Sequence, residues 1–253
     1  MLFNYHTHTK RCNHATGEER EYIEAAIQGG LKILGFSDHA PYLFPDGYQS
    51  FFRMKEDKLH EYADTIRTLA KEYEKDIRIL CGFELEYYPD YHKDEMAFLK
   101  QVNPDYLILG QHFIGNERSN FHSHNCPNMG DIYLVAYVTQ TIAAFATGDF
   151  LYLAHPDLIG YEYTPECIQR EYTRLCEAAK KMNIPLEWNF LGARTHRCYP
   201  DKRFFEIAAK VGNSIILGSD AHDPCYVVDE ASEHFALETL RTLGITPIQK
   251  PLF

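Results

Sequence analysis

Seven short apolar runs, Leu2–His8, Leu31–His39, Ile77–Tyr88, Tyr106–Ile114, Leu151–Ile159, Pro185–Phe190 and Ser214–His222, carry metal-binding or charged polar residues at or near their C-terminal ends. Turn residues mark their edges, and their richness in Leu, Ile, Phe and Tyr reads as strand. Amphipathic stretches follow them at Glu18–Gln28, Lys55–Lys75, His92–Gln101, Gly130–Thr147, Pro165–Met182, Lys202–Val211 and Glu230–Leu243, and these read as helices. Gly29-Gly30 and Gly212 sit where a C-terminal cap belongs, and Pro165 suits a first helical turn. Strands alternating with helices imply parallel pairing through right-handed crossovers, in an open sheet or a closed barrel. An open sheet gathers its ligand near one switch point, whereas here nearly every run offers a polar residue at its C-terminal end, as around a barrel mouth. The expectation is an α/β fold, a seven-stranded (β/α) barrel forming one domain over 1–253.

Composition narrows the function. A hydrophobic fraction of 45% can build a large core, yet no stretch reaches the roughly 20 uncharged apolar residues of a membrane span. Met1 to Tyr5 lead straight into His6 without a basic leader, so a soluble, cytoplasmic protein is expected. The net charge of −11 argues against nucleic acid as the main partner, because that affinity comes from clustered Lys and Arg. Seven cysteines, without a C-x-x-C pair and odd in number, fit reduced thiols. Cys12 and Cys225 lie near candidate ligands and could feel a metal.

Those candidates are His6 and His8, Asp38-His39, Glu84, His112, His155 and Asp220-Ala221-His222, with His14 in the loop after the first run. Residues two apart on a strand point the same way, so His6 and His8 can grip one cation. Imidazole and carboxylate together, without thiolate spacing, suit borderline and hard cations. Taken singly, His112 or His155 reads as a hydrogen-bonded core histidine; their recurrence at successive strand ends is what points to a multi-metal site.

Tyr5-His6-Thr7-His8-Thr9, Gly35-Phe36-Ser37-Asp38-His39, Gly82-Phe83-Glu84, Gly110-Gln111-His112-Phe113-Ile114, Ala154-His155-Pro156-Asp157-Leu158 and Gly218-Ser219-Asp220-Ala221-His222 together resemble the PHP superfamily of metal-dependent phosphoesterases along nearly the whole chain. The resemblance implies a distorted seven-stranded TIM-like barrel and a trinuclear site. In it His6, His8, Glu84 and Asp220 hold one metal, Glu84, His112 and His155 a second with Glu84 bridging, and His14, His39 and His222 the third. Three divalent or trivalent ions, Zn, Mn or Fe, suit such ligands. A metal-bridging hydroxide would then attack phosphorus, with Glu84, Asp220 and His222 at the reacting centre.

Within the superfamily the segment Glu187-Trp188-Asn189-Phe190-Leu191-Gly192-Ala193-Arg194, with Tyr199-Pro200 after it, is most similar to the histidinol-phosphate phosphatase branch. That implies a small phosphate ester, L-histidinol phosphate, as substrate in histidine biosynthesis. A guanidinium forks onto phosphate oxygens better than an ammonium, so Arg194 is the expected clamp, with Arg197 and Arg53 as alternatives. A surface ion pair is the plainer reading of Arg194. Asp38, His122 and His124 are the candidates left for protonating the leaving alkoxide. Ala40 to Arg53 is aromatic for a loop and reads as a cover over an imidazole or as a satellite core. Glu86, Asp90 and Glu117 could face a substrate ammonium.

Three competing readings fit the chain less well. One is a PHP phosphoesterase acting on nucleotides or nucleic-acid ends, which should carry a basic approach surface. Another is an amidohydrolase barrel, which would need a bridging Lys on the fourth strand. The third is a metal-stabilised non-catalytic module, whose sites are usually closed and rich in thiolate.

Overall fold

The computed structural model describes residues 1–119, 130–159 and 163–253. Strands and helices follow in the order β1 (Phe3–Asn4), α1 (Glu19–Gln28), β2 (Ile33–His39), α2 (Leu59–Glu72), β3 (Arg78–Leu85), α3 (His92–Leu99), β4 (Tyr106–Leu109), α4 (Ile132–Phe145), α5 (Pro165–Lys181), β5 (Leu186–Asn189), α6 (Phe190–Arg194), α7 (Lys202–Val211), β6 (Ile215–Gly218) and α8 (Glu230–Thr242), alternating except at α4–α5 and α6–α7. Each expected amphipathic stretch contains a helix. The chain forms two compact units, one of Met1–Ile108, Gly218–Glu230 and Gln249–Phe253, the other of Leu109–Leu217 and Ala231–Ile248.

In the first unit the sheet order is β1-β2-β3-β4, and β2 pairs in parallel with both β1 and β3. All of β2 and all of β3 beyond Arg78 are buried, the condition that makes a parallel strand read as a continuous apolar run. The ladder runs from Ile33 opposite Arg78 to His39 opposite Glu84. Tyr106 lies across both strands and donates its hydroxyl to the Tyr5 and Phe36 carbonyls. A Cβ at Gly35 would stand 2.3 Å from the Tyr106 hydroxyl and one at Gly82 2.5 Å from its ring, so only glycine admits this crossing. Helix α1 opens with the reciprocal Glu18–Glu21 capping box, and Gly30 follows it at φ +81°.

In the second unit β5 pairs with β6, and Leu153 forms parallel bridges to Leu109 and Leu186. The fifth expected strand, Leu151–Ile159, is thereby reduced to one bridged residue, so six strands and not seven are found among the described residues. The cause is local. His155 turns to φ +30°, and Pro156 after it lacks an N–H to donate to a ladder. Hydrogen bonds from Leu109 to the Tyr152 carbonyl, from Ala154 to that of Leu109, from Leu153 to that of Pro185 and from Glu187 to that of Leu153 make up the short contact. Helix α5 begins as its sequence suggests, with Thr164 accepting from the Cys167 N–H and Pro165 in the first turn. Gly212 closes α7 at φ +80°, and Trp188 on β5 packs on Phe205 with ring centres 4.6 Å apart. No helix among the described residues is long and apolar enough to cross a membrane.

Candidate metal centre

The chain after β1 runs beside the segment after β6. His8 N–H donates to the Ala221 carbonyl at 2.9 Å and Ala221 N–H to that of His6 at 3.3 Å. Asn4, fully buried, fastens the two segments, its amide donating to Ser219 Oγ (2.6 Å) and Thr7 Oγ1 (2.8 Å) while its oxygen accepts from the His6 and Ser219 N–H groups. This holds Asp220 at φ +46°, a conformation costly for a side chain with a Cβ.

Four side chains converge there. His6 Nε2 lies 3.5 Å from both Glu84 Oε2 and Asp220 Oδ1, and His8 Nε2 lies 3.4 and 3.3 Å from the same two oxygens. All four residues are buried. Neither ring nitrogen of His8 makes a hydrogen bond, which is costly inside a protein unless another donor–acceptor chemistry satisfies them. The separations match the edge of a tetrahedron around a cation whose N and O ligands stand at about 2.1 Å, which comes to roughly 3.4 Å. His6, His8 and Glu84 can hold an ion, their ligand atoms lying within 4.8 Å of one another.

A second group in the same unit, His14, His39 and His222, meets the same limit. His14 Nε2 and His222 Nε2 are 2.9 Å apart, and the Cys12 carbonyl at 2.8 Å from Nδ1 fixes the His14 ring. Glu84 Oε2 is also 3.1 Å from His39 Nδ1, so one carboxylate oxygen faces His6, His8 and His39. Buried Cys12 groups with His8 and His222; Cys225 is exposed and joins no such group among the described residues.

Charge in this cluster is strongly shaped by burial. Burial alone would discharge His8, but Asp220, Asp38 and Glu84 lift it to about 9. Burial also works against the Asp220 carboxylate, yet His6, His222 and His8 hold it well below its ordinary range. Burial, then the charge of His8, pushes His222 down to about 4 and lowers His14. The ionised Asp220 carboxylate and the neutral His14 and His222 rings are in the donor state a cation requires, whereas an ion binding at His8 must displace its proton.

In the second unit His112 and His155 stand with ring centres 4.9 Å apart. Arg194 is the last residue of α6, half-buried, and Arg197 is exposed with its guanidinium on the Tyr199 hydroxyl at 3.0 Å. Glu117 is buried and Asp90 exposed.

Other expected residues have different surroundings. Arg53 is 2% exposed and pairs with Glu86 at 2.6 Å, donates to the Ala40 carbonyl and Tyr88 hydroxyl, and stacks on Phe52 and Tyr42. Arg53 thus ties the aromatic loop to the end of β3, and Glu86 is the anion of that pair. Tyr42 and Phe44 pack under the loop against Tyr88 and Tyr91 as a satellite core, while Phe52 stands edge-on to His39 at 5.3 Å. Asp38 accepts from Thr9 Oγ1 and the His39 N–H and lies 3.6 Å behind His8 Nδ1, the place of a carboxylate that orients a ligand ring. His122 and His124 lie outside the described residues. Sequence reading missed Asn4, whose only signal was a polar residue inside an apolar strand.

A Deinococcus radiodurans protein named "Probable histidinol-phosphatase" is 30% identical over 232 residues, covering 88% of this chain and 87% of its own. Histidinol-phosphatase of Bacillus subtilis is 30% identical over 122 residues, 45% of either chain. The histidinol phosphate phosphatase of Lactococcus lactis, solved with Zn, L-histidinol and phosphate, shares the fold, with a TM-score of 0.75 at 20% identity over 98% of this chain and 95% of that one. The PHP domain family matches residues 4–190, and the chain belongs to that family.

Proposed function

We propose that this chain is a metal-dependent phosphomonoesterase that hydrolyses L-histidinol phosphate to L-histidinol and phosphate, on a distorted (β/α)7 barrel spanning 1–253. The observation that carries this reading is the convergence of His6, His8, Glu84 and Asp220 on one point, with nitrogen–oxygen separations of 3.3 to 3.5 Å. The substrate is drawn from the name of a relative that matches this chain along most of both lengths.

His6, His8, Glu84 and Asp220 would hold one ion, His14, His39 and His222 another, and His112 and His155 would supply ligands to a third. Such ions supply a water-derived nucleophile at neutral pH and neutralise phosphoryl charge. Asp38 keeps His8 oriented from behind, and Phe52 shields the edge of His39 from water. Arg194 would fork onto the non-bridging phosphate oxygens. Attack by solvent breaks the bond between phosphorus and the ester oxygen, which leaves with the alcohol.

The test is a screen of phosphomonoesters with protein reconstituted in Zn, Mn or Fe, including histidinol phosphate, nucleotides and oligonucleotides with terminal phosphates. Histidinol phosphate should give the highest kcat/KM. In labelled water the solvent oxygen should appear in inorganic phosphate and not in histidinol. Preference for nucleotides or oligonucleotide ends would replace the substrate reading, and absence of hydrolysis with any metal would overturn the enzymatic one.

A further inference from the structure

We propose that Glu187 and Asn189 are positioning residues, a buried brace that sets His155 in place and seats the helix carrying Arg194. The inference rests on the reading of His155 as a ligand and Arg194 as a phosphate contact. Glu187 and Asn189 stand two apart on β5, so both side chains leave the same face of the strand while Trp188 packs on the other. Glu187 is fully buried and Asn189 nearly so. The His155 N–H donates to Glu187 Oε2 at 3.0 Å, Asn189 Nδ2 donates to the same oxygen at 2.9 Å, and the Tyr152 hydroxyl donates to Oε1 at 3.3 Å.

His155 needs such a hold. Its φ of +30° is one that L residues rarely adopt, and Pro156 after it favours an extended conformation at His155. A buried carboxylate accepting the His155 N–H stabilises the turned backbone and with it the direction in which the imidazole leaves the chain. Burying the polar atoms of Glu187 is costly unless they are hydrogen-bonded, and the bonds from His155, Asn189 and Tyr152 meet that need. Asn189 extends the brace. Its Oδ1 accepts from the Gly192 N–H at 3.0 Å, capping α6, whose last residue is Arg194. Gly192 is held close, since a Cβ there would meet the Tyr199 ring at 2.3 Å. One pair of side chains therefore fixes the backbone of a ligand and the helix of a phosphate contact.

The test titrates metal-free parent, Glu187→Ala, Glu187→Gln and Asn189→Ala with Co²⁺, followed by its visible absorption, alongside thermal melting and inhibition of the reconstituted enzyme by inorganic phosphate. Glu187→Ala should weaken one class of Co²⁺ site by about 10–100-fold and leave the others as in the parent. Glu187→Gln should restore that class, because its carbonyl can accept from His155 and Asn189 while its amide donates to the Tyr152 oxygen. Asn189→Ala should keep the Co²⁺ stoichiometry and weaken phosphate inhibition about fivefold, the effect of a lost cap. Weakening of every Co²⁺ class in step with the melting temperature would reduce Glu187 to a folding role. Equal loss in Glu187→Gln and Glu187→Ala would make it a charge or direct-ligand effect, and unchanged phosphate inhibition in Asn189→Ala would remove the link to Arg194. A parent that takes up no Co²⁺ would defeat the ligand reading of His155 itself, and the brace with it.

Discussion

His39 and Glu84 face each other across the parallel β2–β3 ladder, and His39 Nδ1 lies 3.1 Å from Glu84 Oε2. The register that pairs them also aims the same oxygen at His8, 3.4 Å away, so one carboxylate serves two clusters of imidazoles.

On the proposed three-ion reading, protein purified without chelator should carry close to three metal ions per chain. Glu84→Gln should lower the occupancy of two of them and His14→Ala that of one, read by elemental analysis. Equal losses in the two variants would remove the shared role of Glu84.

Arg194→Ala should retain its metals and melting temperature but lose roughly 10²-fold in kcat/KM for histidinol phosphate, or ~2.7 kcal/mol for a charge-assisted clamp. Parental kinetics in this variant would pass the role to Arg197.

Arg53 should behave differently. Its removal takes the Arg53 guanidinium away from the buried Glu86 carboxylate, so Arg53→Ala should destabilise the fold by about 3–5 kcal/mol in chemical denaturation. An unchanged denaturation midpoint with a raised KM would instead restore Arg53 as a substrate contact.

Burial pushes Glu95 up to about 8, with the Leu43 N–H and Arg53 acting against the rise and Glu56 and Glu86 adding to it. Between its ordinary range near 4.5 and pH 8 the folded state keeps a proton that the unfolded chain has released. Stability from this site is thus fully present below about pH 4.5 and declines as pH rises toward 8. Glu95→Gln should flatten that decline, by a few kcal/mol at most, in urea titrations at pH 6 and 8.5. A parental slope in the variant would assign the pH dependence elsewhere.

Gly82→Ala should destabilise by about 1–3 kcal/mol, because the new Cβ would overlap a Tyr106 ring held at its hydroxyl by two carbonyls. A melting temperature equal to the parent's would show that Tyr106 can yield.

Much of this molecule follows from local pattern. The 3.6-residue periodicity placed α1, α2 and α5 within a few residues of their observed ends, and Thr164-Pro165 and Gly212 marked where helices begin or stop. The polar ends of apolar runs named His6, His8, Glu84 and Asp220, which the fold brings together, because strands in parallel register put their C-terminal ends side by side. Other features depended on partners distant in sequence. The composition of the fifth run read as strand until the turn at His155 cut it to a single bridge. Arg53 read as an alternative phosphate clamp, and packing gave it Glu86, 33 positions away, as a buried partner. Asn4 and Ser219 meet across 215 positions, and Asp38 finds its place behind His8. Hydrophobic periodicity is written into neighbouring residues, so the sequence by itself determined the elements and the chemistry at their ends. Which buried polar group satisfies which other is settled only when distant segments close on each other and exclude water, and that pairing the tertiary structure alone decided.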